Sequence, residues 1–395
     1  MFIAKYNNVD LHWWGDSLLL IHNISEYYIL EKVETFFIEH LRKENEINRL
    51  IETISDELIC EPATVKTFID TFLRNFSDYF FLSAESTFIK ISGKKFGYYP
   101  LELHISLTNR CVQHCMHCYK SASPTGLDID YKNLTSFLNQ MVEYVPYLCL
   151  SGGEPTLHPL FRQIIEKYSF LFSICVLTSG VHILPFLDTI TKAKRGLVVS
   201  IYSSNPQIHD EFTGYAGSFL EIERLISSAL SKQIPVGVTT FLSENNSLDI
   251  ENLIQSLTFK GVNFITVGKI TPIGRAKENG LPLSNKTRKY LQEEMLRLKG
   301  IYKSVEFLTD SSCLPSILSF SPLKCSAGTL SWAIFENGQI QPCGICSFDE
   351  ISMGTIDAFD KTILNDRTPY INKINNCEKI RHMYNSGEMC LFTDE

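Results

Sequence analysis

The 395-residue sequence has no run of about 18 uncharged apolar residues, the length that a membrane-spanning helix needs. Nor does it open on a basic stretch followed by an apolar signal core, so a cytoplasmic protein with no membrane partner is expected. Basic residues are in deficit: 36 Lys and Arg against 44 Asp and Glu give a net charge of −8. Nucleic-acid surfaces need clustered Lys and Arg, so no nucleic-acid partner is expected. Fixed-period repeats and low-complexity tracts are absent as well. Apolar material is plentiful, at 44% of residues against 20% charged, and the length suggests two or three domains.

Cysteine is abundant. Twelve in a reducing compartment point to metal ligation rather than a disulfide framework. Cys60 follows a helical pattern, while Cys149 and Cys175 sit in apolar strand-like runs, where a free thiol packs as a small hydrophobe.

Residues 1–92 read as a first α+β unit. Two β-like runs, Val9–Trp14 and Leu18–His22, flank a Gly15-Asp16 turn signal. Three helical patterns follow; the third carries Val65, Phe68, Ile69, Phe72, Leu73 and Phe76 on one face and opens at Pro62. A return strand over Tyr79–Leu82 closes a winged-helix-like module. Its helices bear Glu31, Glu34, Glu39, Glu52, Asp56 and Glu57, which disfavours the DNA-binding use of such modules. The order resembles the RiPP recognition element (PqqD-like), which binds the leader of ribosomally made peptides as an added strand. The alternative is a capping domain without a ligand.

Gly93-Lys94-Lys95-Phe96-Gly97 marks a linker. Over residues 93–298, six β-rich runs (Glu102–Leu107, Tyr147–Ser151, Ser173–Thr178, Gly196–Tyr202, Val236–Phe241 and Phe264–Ile270) alternate with helical stretches such as Tyr131–Tyr144 and Ser218–Lys232. Such alternation predicts parallel strands in an α/β fold, here a partial (β/α)6 TIM-like barrel with its chemistry at the C-terminal strand ends. Residues 299–395 form a small Cys-rich C-terminal domain.

Directly after the first of these strands comes Cys111-x3-Cys115-x2-Cys118. Three thiolates can hold three irons of a [4Fe–4S] cube and leave the fourth iron open, where the amino and carboxylate groups of S-adenosylmethionine (SAM) can chelate. A zinc site is the alternative, though it usually takes four closed ligands. One βα unit later stands Ser151-Gly152-Gly153-Glu154-Pro155. Glycines permit close backbone approach and a carboxylate accepts from an ammonium. With both motifs in this order, residues 100 to 290 resemble the radical SAM superfamily.

That resemblance implies that Gly152, Gly153 and Glu154 bind the SAM amino group, that the His117 ring contacts adenine and that Ser200 bonds the ribose, unless it is a satisfied strand hydroxyl. Arg275, in Pro272-Ile273-Gly274-Arg275-Ala276, is placed either on the SAM carboxylate or in a structural salt bridge. His209-Asp210-Glu211-Phe212-Thr213-Gly214 resembles a stretch recurrent in peptide- and protein-modifying members.

Downstream, Cys325-x12-Gly338-x4-Cys343, with Cys346, frames a hairpin of Ser331–Phe335 and Gln339–Gln341 around Glu336-Asn337-Gly338. This resembles SPASM and twitch domains, which carry auxiliary clusters. Lacking their dense Cys block, the chain suits one auxiliary [4Fe–4S] cluster on Cys325, Cys343, Cys346 and Cys377, with Cys390 or Cys313 as alternatives to Cys377; a zinc knuckle is the other possibility. The resemblance implies a RiPP maturase taking a precursor peptide with a leader and an electron donor of flavodoxin or ferredoxin type. By reductive SAM cleavage to a 5′-deoxyadenosyl radical it would cross-link the peptide through a thioether or C–C bond. The alternatives are a peptide epimerase, a sulfatase-like protein maturase, a haem-pathway enzyme or a cluster-based sensor.

Overall fold

The computed structural model describes residues 1–23, 26–281, 283–304, 306–309, 328, 330–345 and 351–364. Cys313, Cys325, Cys346, Cys377 and Cys390 lie outside the described residues, so Cys343 alone of the expected auxiliary ligands is placed. The described residues divide into two compact units, one built on Met1–Tyr99 and one on Pro100–Lys361. None of their helices is long and apolar enough to cross a membrane.

In the first unit, strands β1 (Phe2–Lys5), β2 (Asp10–Gly15), β3 (Ser17–Asn23) and β4 (Glu26–Ile29) precede three helices, Lys32–Lys43, Ile47–Leu58 and Pro62–Asn75. Strands β5 (Phe80–Ser83), β6 (Ile91–Ser92) and β7 (Gly97–Tyr98) follow. The β2–β3 hairpin turns at Gly15, whose φ of +65° lies in the left-handed region that glycine enters without strain. The Glu46 side chain accepts from the amides of Asn48 and Arg49 and so caps the second helix. Pro62 opens the third helix, where its missing N–H is no loss.

The main sheet runs β4-β3-β2-β6, with β7 also paired to β2; β1 and β5 form a separate antiparallel pair. The hairpin, the helices and β5 are legible in the sequence; β1, β4, β6 and β7 are not. The last two are two-residue strands, too short for an alternating pattern, and β7 lies in the stretch read as a linker. The helices bury one apolar face against the sheet. At its centre, the Phe72 ring stands 4.7 Å from Phe37, 4.7 Å from Phe76 and 5.2 Å from Phe80.

The second unit contains the six expected parallel strands: β8 (Glu102–Ser106), β9 (Tyr147–Ser151), β10 (Ser173–Thr178), β11 (Leu197–Ser200), β12 (Val236–Leu242) and β13 (Phe264–Lys269). They lie side by side in chain order, with helices in the crossovers, as parallel βαβ units require. Near-continuous apolar strands such as Tyr147–Ser151, buried throughout, fit a sheet covered on both faces.

The alternation does not stop at residue 299. The helix Asn285–Ile301 leads into β14 (Glu306–Thr309), which pairs in parallel with β13. β15 (Ser331–Ile334) pairs in parallel with β8 and turns antiparallel into β16 (Ile340–Gln341). A six-stranded partial barrel has two open edges, and the C-terminal segment supplies a strand to each. The expected Glu336–Gly338 turn is present, with Gly338 at φ +84°.

Candidate functional site

The loop that follows β8 carries Cys111, Cys115 and Cys118 and is fixed mainly by its backbone. The Cys111 amide donates to Ser123 O at 2.7 Å, that of His114 to Thr213 O at 2.9 Å, and that of Met116 to Phe212 O at 2.9 Å. Gly214, at φ +61°, closes the helix Pro206–Thr213 so tightly on this loop that a Cβ there would lie 2.9 Å from His114 O. Asp210 braces the same corner by accepting from the Gly217 amide (2.6 Å), the Phe219 amide (2.8 Å) and the Ser218 hydroxyl (2.9 Å).

From the other side the Pro-Ile-Gly-Arg-Ala turn holds the loop. Arg275 donates its amide to Cys118 O (3.1 Å), Nε to Cys115 O (2.9 Å) and Nη1 to Ala122 O (2.8 Å), and Asn279 donates to Met116 O at 2.8 Å. A Cβ on Gly274 would meet Cys118 O at 2.6 Å. Arg275 is 6% exposed, and its Nη2 has no partner among the described residues.

Gly152 and Gly153 lie at the C-terminal end of β9, against the start of the same loop. A Cβ on Gly152 would stand 2.2 Å from Thr108 O, and one on Gly153 2.3 Å from Arg110 O. The close approach these glycines allow here is therefore to protein backbone, with Gly153 N donating to Thr108 O at 2.7 Å and Glu154 N to Arg110 O at 2.8 Å. Glu154 is wholly buried, and its carboxylate is already engaged. It accepts from the Thr156 hydroxyl (2.8 Å), the Thr178 hydroxyl (2.9 Å) and the Ser179 amide (2.9 Å) and hydroxyl (2.7 Å), while burial raises its pKa.

The His117 ring sits 4.8 Å from Tyr202, 5.0 Å from Phe212 and 5.4 Å from Phe241, and its Nε2 pairs with the Tyr202 hydroxyl at 3.2 Å. Burial and the nearby Arg275 cation push its pKa down to about 3, so the ring is neutral; its Nδ1 is buried without a partner among the described residues. Ser200 ends β11, within hydrogen-bonding reach of the Tyr202 hydroxyl. One face of the next strands carries a further row: Thr239 is in register with Ser200 and with Thr266, and both threonine hydroxyls are buried without partners among the described residues. Neither threonine carries a motif that would have found it in the sequence.

Burial raises the Cys111 thiol to about 11 and the Cys115 thiol further, so both need a metal to ionise them. Polar groups nearby that have no partner among the described residues, Arg275 Nη2, His117 Nδ1 and Gln113 Nε2, suit a polar ligand beside these thiols.

Past Cys118, Tyr119 reaches toward Gly344, beside Cys343. Lys120 forms a part-buried ion pair with Glu336 at 2.7 Å, and Ser106 donates to the same carboxylate at 2.7 Å. The hairpin bearing Cys343 is thus tied to the cysteine loop.

The protein-family model of the radical SAM superfamily matches residues 105–257. Among curated proteins, the Bacillus subtilis (strain 168) antilisterial bacteriocin subtilosin biosynthesis protein AlbA is 25% identical over 291 residues, 70% of this chain and 62% of that protein. The sporulation killing factor maturation protein SkfB of the same strain is 24% identical over 278 residues, 68% of this chain and 65% of that protein. The chain thus matches less than two thirds of the length of either relative. Among solved structures, Streptococcus suis SuiB bound to precursor peptide SuiA superposes with a TM-score of 0.70 at 15% identity, over 95% of this chain and 91% of that one. SuiB bound to SAM gives 0.69 at 14% identity, over 94% and 90%. At such identities these two likenesses concern the fold alone. The matched stretch begins inside the strand that launches the three-cysteine loop and ends in the helix before the sixth strand, so it takes in that loop and the Gly-Gly-Glu turn and marks a radical SAM domain within this chain.

Proposed function

We propose that the protein is a radical SAM maturase of a ribosomally made precursor peptide. The observation that carries this reading is the three-cysteine loop, clamped at the C-terminal ends of parallel strands by the Gly-Gly-Glu, His209–Gly214 and Pro272–Ala276 stretches. Cys111, Cys115 and Cys118 would hold a [4Fe–4S] cluster with SAM on its open iron. When bound, this pair supplies a 5′-deoxyadenosyl radical that abstracts hydrogen from a substrate carbon.

The chain's own residues orient and shield. Arg275 and the glycines fix the loop; His117, Tyr202, Phe212 and Phe241 wall one side with rings that exclude water. Ser200 and His117 are proposed for the SAM ribose and adenine. Gly152, Gly153 and Glu154 are proposed to meet the SAM amino group, the glutamate through the backbone it sets rather than through its occupied carboxylate. Cys343, with Cys325, Cys346 and Cys377, is proposed for one auxiliary cluster. Its redox role would serve oxidative cross-linking, through a thioether or C–C bond.

The first unit, as a leader-binding module of the RiPP recognition element type, would offer the edge of β4. That strand has β3 on one side and no strand on the other among the described residues, and Tyr28 and Ile29 are exposed on it. A leader peptide would pair there as an extra strand. The reducing electron would come from a flavodoxin or ferredoxin type donor in the cytoplasm.

The test is anaerobic incubation of the reconstituted protein with SAM, dithionite and a candidate peptide. Release of 5′-deoxyadenosine is expected, and a Cys111→Ala/Cys115→Ala/Cys118→Ala variant should release none while keeping the auxiliary iron. No 5′-deoxyadenosine from the parent protein, with or without peptide, would overturn the reading.

A further inference from the structure

Gln113 stands between the first two cysteines of the loop and is 3% exposed. A glutamine so deeply buried ordinarily has both ends of its amide bonded. Here only one end is. The Cys115 thiol donates to Gln113 Oε1 at 3.3 Å, while Nε2 has no partner among the described residues. At the other two cysteines the bond runs the opposite way. The Cys111 sulfur accepts from the Gln113 backbone amide, and the Cys118 sulfur accepts from the Ala122 amide at 3.4 Å.

The arrangement at Cys115 suits a thiol and not a thiolate. Once a metal displaces the thiol proton to solvent, Sγ has no hydrogen left to give, and Oε1 faces a negative sulfur with its lone pairs. The terminal torsion of a glutamine is broad and roughly two-fold, so a half-turn exchanges Oε1 for Nε2 with almost no change of shape. That half-turn gives the orphaned donor an acceptor and leaves Oε1 where Nε2 stood. The number of unpaired ends is unchanged, so the strength of the bond decides. Charged acceptors make the stronger bonds, and donation from Nε2 to a thiolate therefore outweighs the bond from the neutral thiol that it replaces.

We infer that Gln113 tunes the cluster: with [4Fe–4S] bound, its Nε2–H donates to Cys115 Sγ and raises the cluster's reduction potential. This rests on the reading of Cys111, Cys115 and Cys118 as cluster ligands. An N–H dipole aimed at a ligand sulfur favours the reduced cluster, which carries one more negative charge, over the oxidised one. At Cys111 and Cys118 the donor is backbone and any residue would supply it. At Cys115 a side chain sets the bond, so the identity of residue 113 sets the potential.

The test uses the full chain, reconstituted with iron and sulfide and kept free of SAM, so that SAM cleavage plays no part. With nitrogen-15 placed only in glutamine side chains, pulsed EPR of the dithionite-reduced cluster should show a nitrogen-15 coupling. That coupling should vanish in Gln113→Met, a variant of similar volume without a donor. The reduction potential of the Gln113→Met cluster should shift to more negative values, by about tenfold in the electron-uptake equilibrium, or about 59 mV for one electron. Gln113→Glu, whose carboxylate only accepts, should shift it in the same direction. A parent cluster without the coupling, or a potential unmoved in Gln113→Met, would overturn the inference and leave the cluster reading standing. A parent that assembles no [4Fe–4S] cluster would overturn that reading and this inference together. The parent's spectrum decides on its own, so a variant that fails to hold iron does not shelter the proposal.

Discussion

The first unit and the cysteine loop of the second are held by opposite means. The Met1–Tyr99 unit is a side-chain structure: rings and aliphatic groups of three helices pack on a sheet, with Phe72 touching Phe37, Phe76 and Phe80. The cysteine loop is a backbone structure. Its amides and carbonyls bond to Thr213, Phe212, Ser123 and Arg275, and glycines at 152, 153, 214 and 274 remove the Cβ atoms that would hold the chains apart. Apolar packing tolerates volume-conserving change, whereas a backbone clamp tolerates almost none at its glycines. The difference matches the two proposed tasks. A cluster needs three thiols held in one geometry; a leader strand needs an edge left free.

The sharpest way to break this comparison is to put a side chain into the clamp. Gly153→Val would drive its Cβ into Arg110 O, and loss of nearly all loop-bound iron is expected by iron assay and absorbance. Gly300→Ala is the contrast, since no described residue lies within 4 Å of a Cβ there. In the last turn of the helix Asn285–Ile301 it should change stability by no more than about 0.5 kcal/mol in chemical denaturation. Equal damage from both variants would erase the distinction.

Phe72→Ala comes next. It removes the ring at the centre of the first core and should cost about 3–5 kcal/mol in that unit's unfolding transition. Iron content in the second unit should stay unchanged; its loss would mean that the two units do not respond separately.

Arg275→Ala should act on the clamp alone, costing about 1.5–3 kcal/mol per hydrogen bond lost from a charged group. The expected readout is faster iron loss to a chelator. Arg275→Lys should rescue only partly, because an ammonium lacks the fork that reaches Cys115 O and Ala122 O together.

The smallest effect is expected at the free edge. Leu30 N donates to Leu18 O, so in the antiparallel alternation Ile29, opposite Leu19, turns its own amide away from β3. Ile29→Pro deletes that outward donor while sparing the β3 ladder. Peptide affinity should fall by one hydrogen bond, about 0.5–1.5 kcal/mol, with peptide-independent SAM cleavage unchanged. Unaltered affinity in a binding titration would remove the leader from β4.

Much of this was legible because its signal is local. The six strands announce themselves by β-rich runs between helical stretches, the Cys111–Cys118 spacing by three residues within eight, and the third helix by its apolar stripe behind Pro62. β6 and β7 escaped because two residues cannot show a period. The motifs were recognised, but not what they touch. Gly152 and Gly153, expected beside the SAM amino group, make room for the backbone of Thr108 and Arg110; Arg275, expected on the SAM carboxylate or in a structural salt bridge, holds carbonyls.

By itself, then, the sequence determined which residues can ligate metal, where strands and helices alternate, and that the first unit buries an aromatic stripe. The tertiary structure alone decided which distant segments meet. The Arg275 side chain reaches a carbonyl 160 residues away in sequence. β14 and β15 cover the two edges of the six-stranded sheet, and strand register sets Cys149 between His104 and Cys175. The physical reason is that propensity and periodicity are written in neighbouring residues. Register, edge pairing and backbone clamps depend on the whole chain closing on itself, and leave no periodic trace in any one stretch of it.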